Sequence, residues 1–172
     1  RMLLDGFDRL EVFDKCYNKN EIEIISEDRR REVTNVVYER LSVLDSFLLK
    51  QFYDGDLVTS KYILTYAIAK TDSLFFEFLY EVYREALLGN KDYISIDDFE
   101  NFFAAKKEID SIIAKWSECT INDLSGGYRN ILVESGLGTR IKKNIHAEKV
   151  IIHPAVEEHI ALIGDVEFNN KM

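Results

Sequence analysis

Residues Lys115 to Gly138 read KWSECTINDLSGGYRNILVESGLG, and this stretch gives the clearest indication of the fold. Four apolar residues at or just before its start recur at the spacing of one helix face: Ile109, Ile112, Ile113 and Trp116. Residues 117–119 are enough for a turn, and Thr120 can then cap a second helix that Gly136 ends. Two short helices joined by about three residues are typical of a helix-turn-helix.

The periodicity changes after this second helix. Strand-like alternation runs over residues 140–146, and a β-rich segment follows at 149–153, with a polar turn expected around Ala147 and Glu148. Pro154 suits the first turn of a closing helix. A strand, a turn and a strand after a helix-turn-helix predict a winged-helix-like part with a small β-hairpin.

The rest of the chain has helical patterns almost throughout. Apolar spacing and caps predict helices at about 9–17, 27–52, 57–69, 72–88 and 96–103. We therefore expect a mainly α fold, a helical bundle with a helix-turn-helix. Residues 1–105 would form a helical N-terminal part with a possible first helix-turn-helix, and residues 106–172 the winged-helix-like C-terminal part.

The charge distribution favours one local site for a polyanion. The formal net charge is −9, yet residues 129–149 carry five bases and two acids, a net charge of +3. The second helix would offer polar side chains to the groove of double-stranded DNA, and the wing would lie along the phosphate backbone. The predicted DNA contacts are Asn122, Ser125, Arg129, Arg140, Lys142, Lys143 and Lys149. The alternative is that the helix-turn-helix is only a packing unit.

A second basic cluster opens the long helix that Ser26 can cap. Arg29, Arg30 and Arg31 lie near the helix N-terminus, where positive charge is unfavourable to the helix dipole. This placement suggests an accessory phosphate contact. The alternative is an exposed network in which Asp28 and Glu32 pair with the arginines, a common and weak arrangement.

The sequence predicts a non-enzymatic protein that needs no cofactor or metal. It contains no CxxC, HExxH, P-loop or GxGxxG motif. Residues 153–159 hold two His and two Glu, but a solvated helix end explains them better than a metal site. Glu77, Glu81 and Glu85 recur every fourth residue without the accompanying ExxH of di-iron bundles.

The cellular compartment expected from the sequence is the cytoplasm. Cys16 and Cys119 lie far apart, and no secretion signal precedes them, so both read as reduced thiols. No apolar run approaches the length of about 20 residues that a membrane span needs. We therefore expect no membrane partner.

Several landmarks are dispersed from about residue 5 to about residue 155. They are Asp5-Gly6-Phe7-Asp8, Asn20, Ser26 through Arg40-Leu41, Gly55-Asp56, the aromatic helix Leu74 to Arg84, Ile96-Asp97-Asp98-Phe99, Trp116-Ser117-x-x-Thr120 and Ile131-Leu132-x-x-x-Gly136-Leu137. In their order and spacing the chain resembles the BrxA family, small proteins encoded in bacterial BREX phage-defence loci. The pattern includes no invariant catalytic motif.

The resemblance implies a non-enzymatic, mostly helical protein of the bacterial cytoplasm that binds DNA through helix-turn-helix or winged-helix elements. Family members are also likened to helical antitermination factors that bind RNA. Two alternatives to DNA binding therefore stay open. One is an adaptor whose acidic faces bind other proteins of the same defence locus, and the other is RNA binding by the helical part.

Overall fold

The fold is mainly helical with one small antiparallel hairpin, as the sequence predicts. The computed structural model describes residues 1–89, Lys91 and residues 93–165. The chain forms two compact units, Arg1–Thr71 and Asp72–Met172. The boundary expected at residues 105 and 106 falls inside a helix of the second unit, and the division between compact units lies 34 residues earlier.

The first unit is built from four α-helices. They are α1 (Arg9–Phe13), which continues as a π-helical turn (Asp14–Asn18), α2 (Glu27–Ser42), α3 (Ser46–Asp54) and α4 (Leu57–Thr71). Asp8 forms a capping box with Glu11 at the start of α1, and Ser26 caps α2 by accepting from the Arg29 amide. Helices α3 and α4 pack against each other, and Leu48 of α3 and Ile63 of α4 are fully buried.

The prediction of one helix from residue 27 to residue 52 is wrong. The chain breaks between α2 and α3, although the apolar stripe runs through both. The cause is local capping, because Asp45 accepts a hydrogen bond from the Leu48 amide at 2.9 Å and starts a new helix. The spacing of the apolar residues does not reveal this break, because Leu44 and Leu48 are buried on either side of it.

The second unit opens with a helical segment interrupted by a π turn. It comprises α5 (Ser73–Phe78), the π turn (Leu79–Tyr83) and α6 (Arg84–Leu87). Next come α7 (Ile96–Ile109), a 3₁₀ turn (Ile113–Lys115), α8 (Glu118–Ser135), β1 (Gly138–Ile141), β2 (Asn144–Ala147) and α9 (Pro154–Leu162). Pro154 occupies the first turn of α9, as predicted.

The core of the second unit is aromatic. Phe78 stacks on Phe99 with ring centroids 4.8 Å apart and meets Phe102 edge-on at 5.3 Å. Tyr128 of α8 contacts Phe75 and Phe103 in the same cluster. Burial of these large rings stabilises the unit and fixes the position of α8.

The hairpin is joined to a third extended segment. β1 and β2 pair in an antiparallel register in which Ile141 faces Asn144, so Lys142 and Lys143 form a two-residue turn. Ile94, just before α7, exchanges two backbone hydrogen bonds with Ile145 of β2, at 2.7 and 2.9 Å. The bridge places the hairpin beside the chain that enters α7.

The strands differ from the sequence prediction. The turn lies at Lys142 and Lys143 instead of Ala147 and Glu148, and the β-rich residues 149–153 form no strand. The β-branched residues at 150–152 mimic a strand, but Ile151 is 89% exposed and has no strand partner among the described residues. The register is set instead by Ile145, which is fully buried.

The short helix predicted around Ile112 is also wrong. α7 extends to Ile109, and the side chain of Asp110 then accepts from the amides of Ile112 and Ile113. Such a local side-chain bond ends the helix and starts the 3₁₀ turn. Ile109 and Ile112 are therefore 78% and 68% exposed, and only Ile113 is buried.

Candidate nucleic-acid interface

α8 is held by capping at both ends. The N-cap is Ser117, whose hydroxyl accepts from the Thr120 amide at 3.1 Å, so the prediction of Thr120 as the cap is wrong. Gly136 ends the helix in the left-handed conformation with φ of 80°, as the sequence predicts. The helix is continuous through Gly126 and Gly127.

One face of α8 is buried and the other is polar and accessible. Tyr128 and Leu132 face the core, while Asn122 and Asn130 are exposed and Ser125 is half-buried. The phenol of Tyr128 donates to the carboxylate of Asp72 at 3.3 Å. Burial and the Asp72 charge raise the pKa of Tyr128, so the phenol stays protonated. The predicted groove residues therefore lie on a helix whose opposite face packs against the core of the second unit.

Two guanidinium groups connect α8 to the hairpin. Arg129 donates from Nη2 to the backbone carbonyl of Lys143 at 2.8 Å. Arg140 of β1 donates from Nη2 to Oδ1 of Asn130 at 3.1 Å. The two bonds hold the Lys142–Lys143 turn against the middle of α8, so four of the predicted cations share one surface.

The positive charges on this surface have no carboxylate partner among the described residues. The two arginines donate to neutral oxygens, and neither lysine of the turn forms an ion pair in the described chain. Burial, together with the charge of Arg140, lowers the pKa of Arg129. We call this group the basic surface; its members are Arg129, Arg140, Lys142 and Lys143.

The turn residue Lys142 has an unfavourable backbone conformation. Its φ is 57°, in the left-handed region that glycine and asparagine adopt more readily. A lysine in this region costs on the order of 1 kcal/mol. The strained position nevertheless carries an exposed ammonium group at the tip of the hairpin.

The remaining predicted contact of the second unit, Lys149, is exposed but lies beyond β2. Its neighbour Glu148 is fixed, because the Tyr83 phenol donates to the Glu148 carbonyl at 2.6 Å. The Glu148 amide also donates to the Leu137 carbonyl at 2.8 Å. No hydrogen bond or ion pair joins Lys149 to the basic surface among the described residues.

The three arginines of α2 belong to the first unit and engage neighbouring groups. Arg29 pairs with Glu32 at 2.9 Å. Arg31 donates to the phenol of Tyr17 at 2.7 Å, and that phenol donates to Glu27. Arg30 lies over the Tyr17 ring and donates to the Ile24 carbonyl at 3.1 Å. The expected pairing of Arg29 with Glu32 is present, whereas an aromatic ring, not Asp28, organises the other two.

One buried lysine was not expected from the sequence. Lys106 of α7 is 6% exposed and binds Glu77 at 2.7 Å and Glu81 at 2.5 Å. Burial would lower the pKa of Lys106, but the hydrogen bonds to the two carboxylates outweigh it and raise that pKa. The four-residue spacing of the glutamates can be seen in the sequence. Their partner cannot, because Lys106 lies 25 residues away from Glu81 along the chain.

Among the described residues there is neither a cluster of metal-binding side chains nor a helix that could span a membrane. Within residues 1–89, 91 and 93–165, no group of three or more His, Cys, Asp or Glu side chains is arranged to hold a metal ion. In the same residues, no helix combines the length and apolar character needed to cross a membrane.

The family model for BrxA matches residues 1–164. A relative from Bacillus cereus (strain H3081.97), described as BREX protein BrxA, is 35% identical over 164 residues, covering 95% of this chain and 82% of the relative. The crystal structure of an uncharacterized protein from Magnetospirillum magneticum has a TM-score of 0.85 and 20% identity, covering 98% of this chain and 86% of that chain. That likeness concerns the fold alone. The resemblance noticed in the sequence is thus confirmed, and the chain belongs to the BrxA family.

Proposed function

We propose that this protein is a non-enzymatic double-stranded DNA-binding component of a bacterial phage-defence (BREX) system, acting in the cytoplasm. The observation that carries the proposal is the basic surface, in which four cations lie together and find no carboxylate partner in the described part of the chain. The four positive charges repel one another, and this local repulsion opposes folding. Phosphate groups would remove that repulsion.

The order of elements in the second unit supports a winged-helix mode of binding. α7 and α8 are consecutive helices, and the hairpin follows α8 directly. In our proposal α8 faces the groove with Asn122 and Ser125, and the Lys142–Lys143 turn follows the phosphate backbone as the wing. Lys149 and the arginines Arg29, Arg30 and Arg31 are proposed as accessory phosphate contacts.

The proposal predicts a specific salt dependence of binding. Fluorescence anisotropy with a labelled duplex should show affinity falling between about 50 and 200 mM salt. The four cations of the basic surface alone would give a slope of log K against log salt of about −3.6, and the accessory contacts would make it steeper. Reversing both turn charges, Lys142→Glu with Lys143→Glu, should weaken binding to every duplex sequence and reduce the slope by about 1.8.

The matched control reverses the charges of two lysines of the first unit, Lys50→Glu with Lys61→Glu, and so changes the net charge by the same amount. If this control weakened binding as much as the turn variant, the basic surface would lose its assignment. Unchanged binding in the turn variant would have the same consequence. Competition with structured RNA separates DNA binding from RNA binding.

A protein adaptor is the second candidate, and one observation favours it. Ile109, the last residue of α7, and Ile112, in the connection to α8, are 78% and 68% exposed, and an apolar partner surface could cover them. This candidate predicts co-purification with other proteins of the same locus and no retention on DNA near physiological salt. The acidic face considered from the sequence is less available, because Glu77 and Glu81 already bind Lys106.

A further inference from the structure

The first unit contains a mainly apolar cavity that DNA binding does not use. Its volume is about 280 Å³, and it is partly open to solvent. The N-terminal segment, α1, α2 and α3 contribute to its wall, and the apolar lining includes Leu4, Val12, Val33, Leu41 and Phe52. An engineered apolar cavity of ~150 Å³ in another protein binds benzene, so this cavity has room for about eleven non-hydrogen atoms.

One buried polar group in the wall has no hydrogen-bond partner among the described residues. Thr34 lines the cavity and is 4% exposed, and its hydroxyl oxygen is unpaired. It lies on the same face of α2 as Tyr38 and Leu41, which also line the cavity. A buried hydroxyl without a partner destabilises a fold, and each one in a native structure calls for an explanation.

The charges around the cavity favour a ligand without charge. Arg1 is the one charged side chain among the described lining residues, and its Nε donates to the Asp5 carboxylate at 3.0 Å. The Cys16 thiol also belongs to the wall, and burial, with a smaller effect of the Glu21 charge, raises its pKa. Desolvation therefore disfavours a negative charge at this wall, and the one positive charge is already paired.

We propose that this cavity binds a neutral aliphatic alcohol of about eight to ten carbons, a length that agrees with the room available. The hydrocarbon chain would lie among the apolar side chains, and the hydroxyl of the ligand would pair with that of Thr34. A threonine hydroxyl both donates and accepts, so a single hydroxyl on the ligand satisfies it. The proposal is independent of DNA binding, because it uses only residues of the first unit.

The two cysteines allow a test on the unmodified protein. Cys16 lines the cavity and is half-buried, whereas Cys119 is exposed on α8. 1-Octanol should slow alkylation of Cys16 by iodoacetamide in a saturable manner and leave the rate at Cys119 unchanged, as measured by peptide mass spectrometry. Failure of 1-octanol to protect Cys16 would overturn the site.

Octanoate tests the requirement for a neutral ligand. It has the same chain length as 1-octanol but carries a negative charge, and its carboxylate would find no unpaired cation among the described lining residues. Its affinity should be lower by about tenfold or more, since burying an unpaired charge is costly. Equal protection of Cys16 by octanoate and 1-octanol would overturn this part of the assignment.

Thr34→Val keeps the shape of the side chain and removes the hydroxyl. The variant should bind 1-octanol about fivefold more weakly, because one neutral hydrogen bond is lost. Its affinity for toluene, which has no hydroxyl, should equal that of the parent chain. Equal affinity of the variant and the parent for 1-octanol would overturn the pairing with Thr34.

Thr65→Val is the matched control. Thr65 of α4 is 1% exposed, but its hydroxyl donates to the Lys61 carbonyl at 2.9 Å, and it lies outside the cavity lining. This variant should bind 1-octanol as the parent does. In urea unfolding without ligand, Thr65→Val should lower the midpoint, whereas Thr34→Val should leave it unchanged or raise it, because no hydrogen bond is lost. An equal drop in both variants would mean that the Thr34 hydroxyl pairs within the protein, and its assignment to the ligand would fail.

Discussion

At the scale of single residues, the tip of the hairpin combines backbone strain with charge. Lys142 has φ of 57°, while Lys143, the other residue of the turn, does not have a positive φ. A glycine at position 142 would fit this backbone better, so the lysine there needs a reason outside folding. The phosphate contact that we propose for the exposed ammonium would supply one.

The substitution Lys142→Gly should separate binding from stability. Relief of strain and the higher entropy of an unfolded glycine nearly cancel, so the free energy of unfolding should change by less than about 1 kcal/mol. DNA affinity should fall, and the salt slope should decrease by about 0.9.

Lys143→Gly is the control in the same turn. It removes one charge but has no strain to relieve, so it should destabilise the folded protein. Urea unfolding and anisotropy measure both quantities, and equal destabilisation by the two variants would contradict the strain argument.

At the scale of elements, the sequence predicted those features that a repeated apolar spacing or a terminal glycine determines. The apolar face of α8 and its end at Gly136 are as expected, because the stripe through Tyr128 and Leu132 and the left-handed glycine are local signals. The bridge from Ile94 to Ile145 could not be predicted, since a single extended residue has no periodicity. The break at Asp45 was missed because the apolar stripe runs on through both helices, and the turn at Lys142 was missed because residues 149–153 carry a strand-like pattern without forming a strand.

The glycine pair within α8 makes the next prediction. A Cβ added at Gly126 or Gly127 would meet no atom within 4 Å, so alanine fits at both positions. Each change to alanine should stabilise the protein by about 1 kcal/mol through helix propensity. For a chain of this size that raises Tm by about 2–4 °C per substitution, measurable by calorimetry.

Gly136→Ala is the control for the glycine pair, because φ of 80° at that position makes alanine destabilising. If Gly126→Ala and Gly127→Ala stabilise the fold yet weaken DNA binding, the bare helix surface is where DNA approaches α8. A loss of stability in either variant would mean that α8 is less regular there than its continuous hydrogen bonding indicates.

At the scale of the whole molecule, two opposite electrostatic effects would act on a DNA duplex bound as we propose. The net charge of −9 repels a polyanion at long range, while the basic surface attracts it at short range. The sequence revealed this asymmetry through residues 129–149. It could not reveal that Arg129 and Arg140 bridge α8 and the hairpin, because those bonds depend on the tertiary structure.

This difference in range leads to a prediction for acids outside the basic surface. The substitutions Glu100→Gln and Glu108→Gln remove two exposed charges from α7. The Debye length is about 30 Å at 0.01 M salt and about 8 Å at 0.15 M, so their repulsion is felt mainly at low salt. The double variant should bind DNA more tightly than the parent near 0.01 M and equally near 0.15 M, in anisotropy titrations at both salts. An advantage that persisted at 0.15 M would place these glutamates within a few ångströms of the bound duplex, and α7 would then belong to the interface.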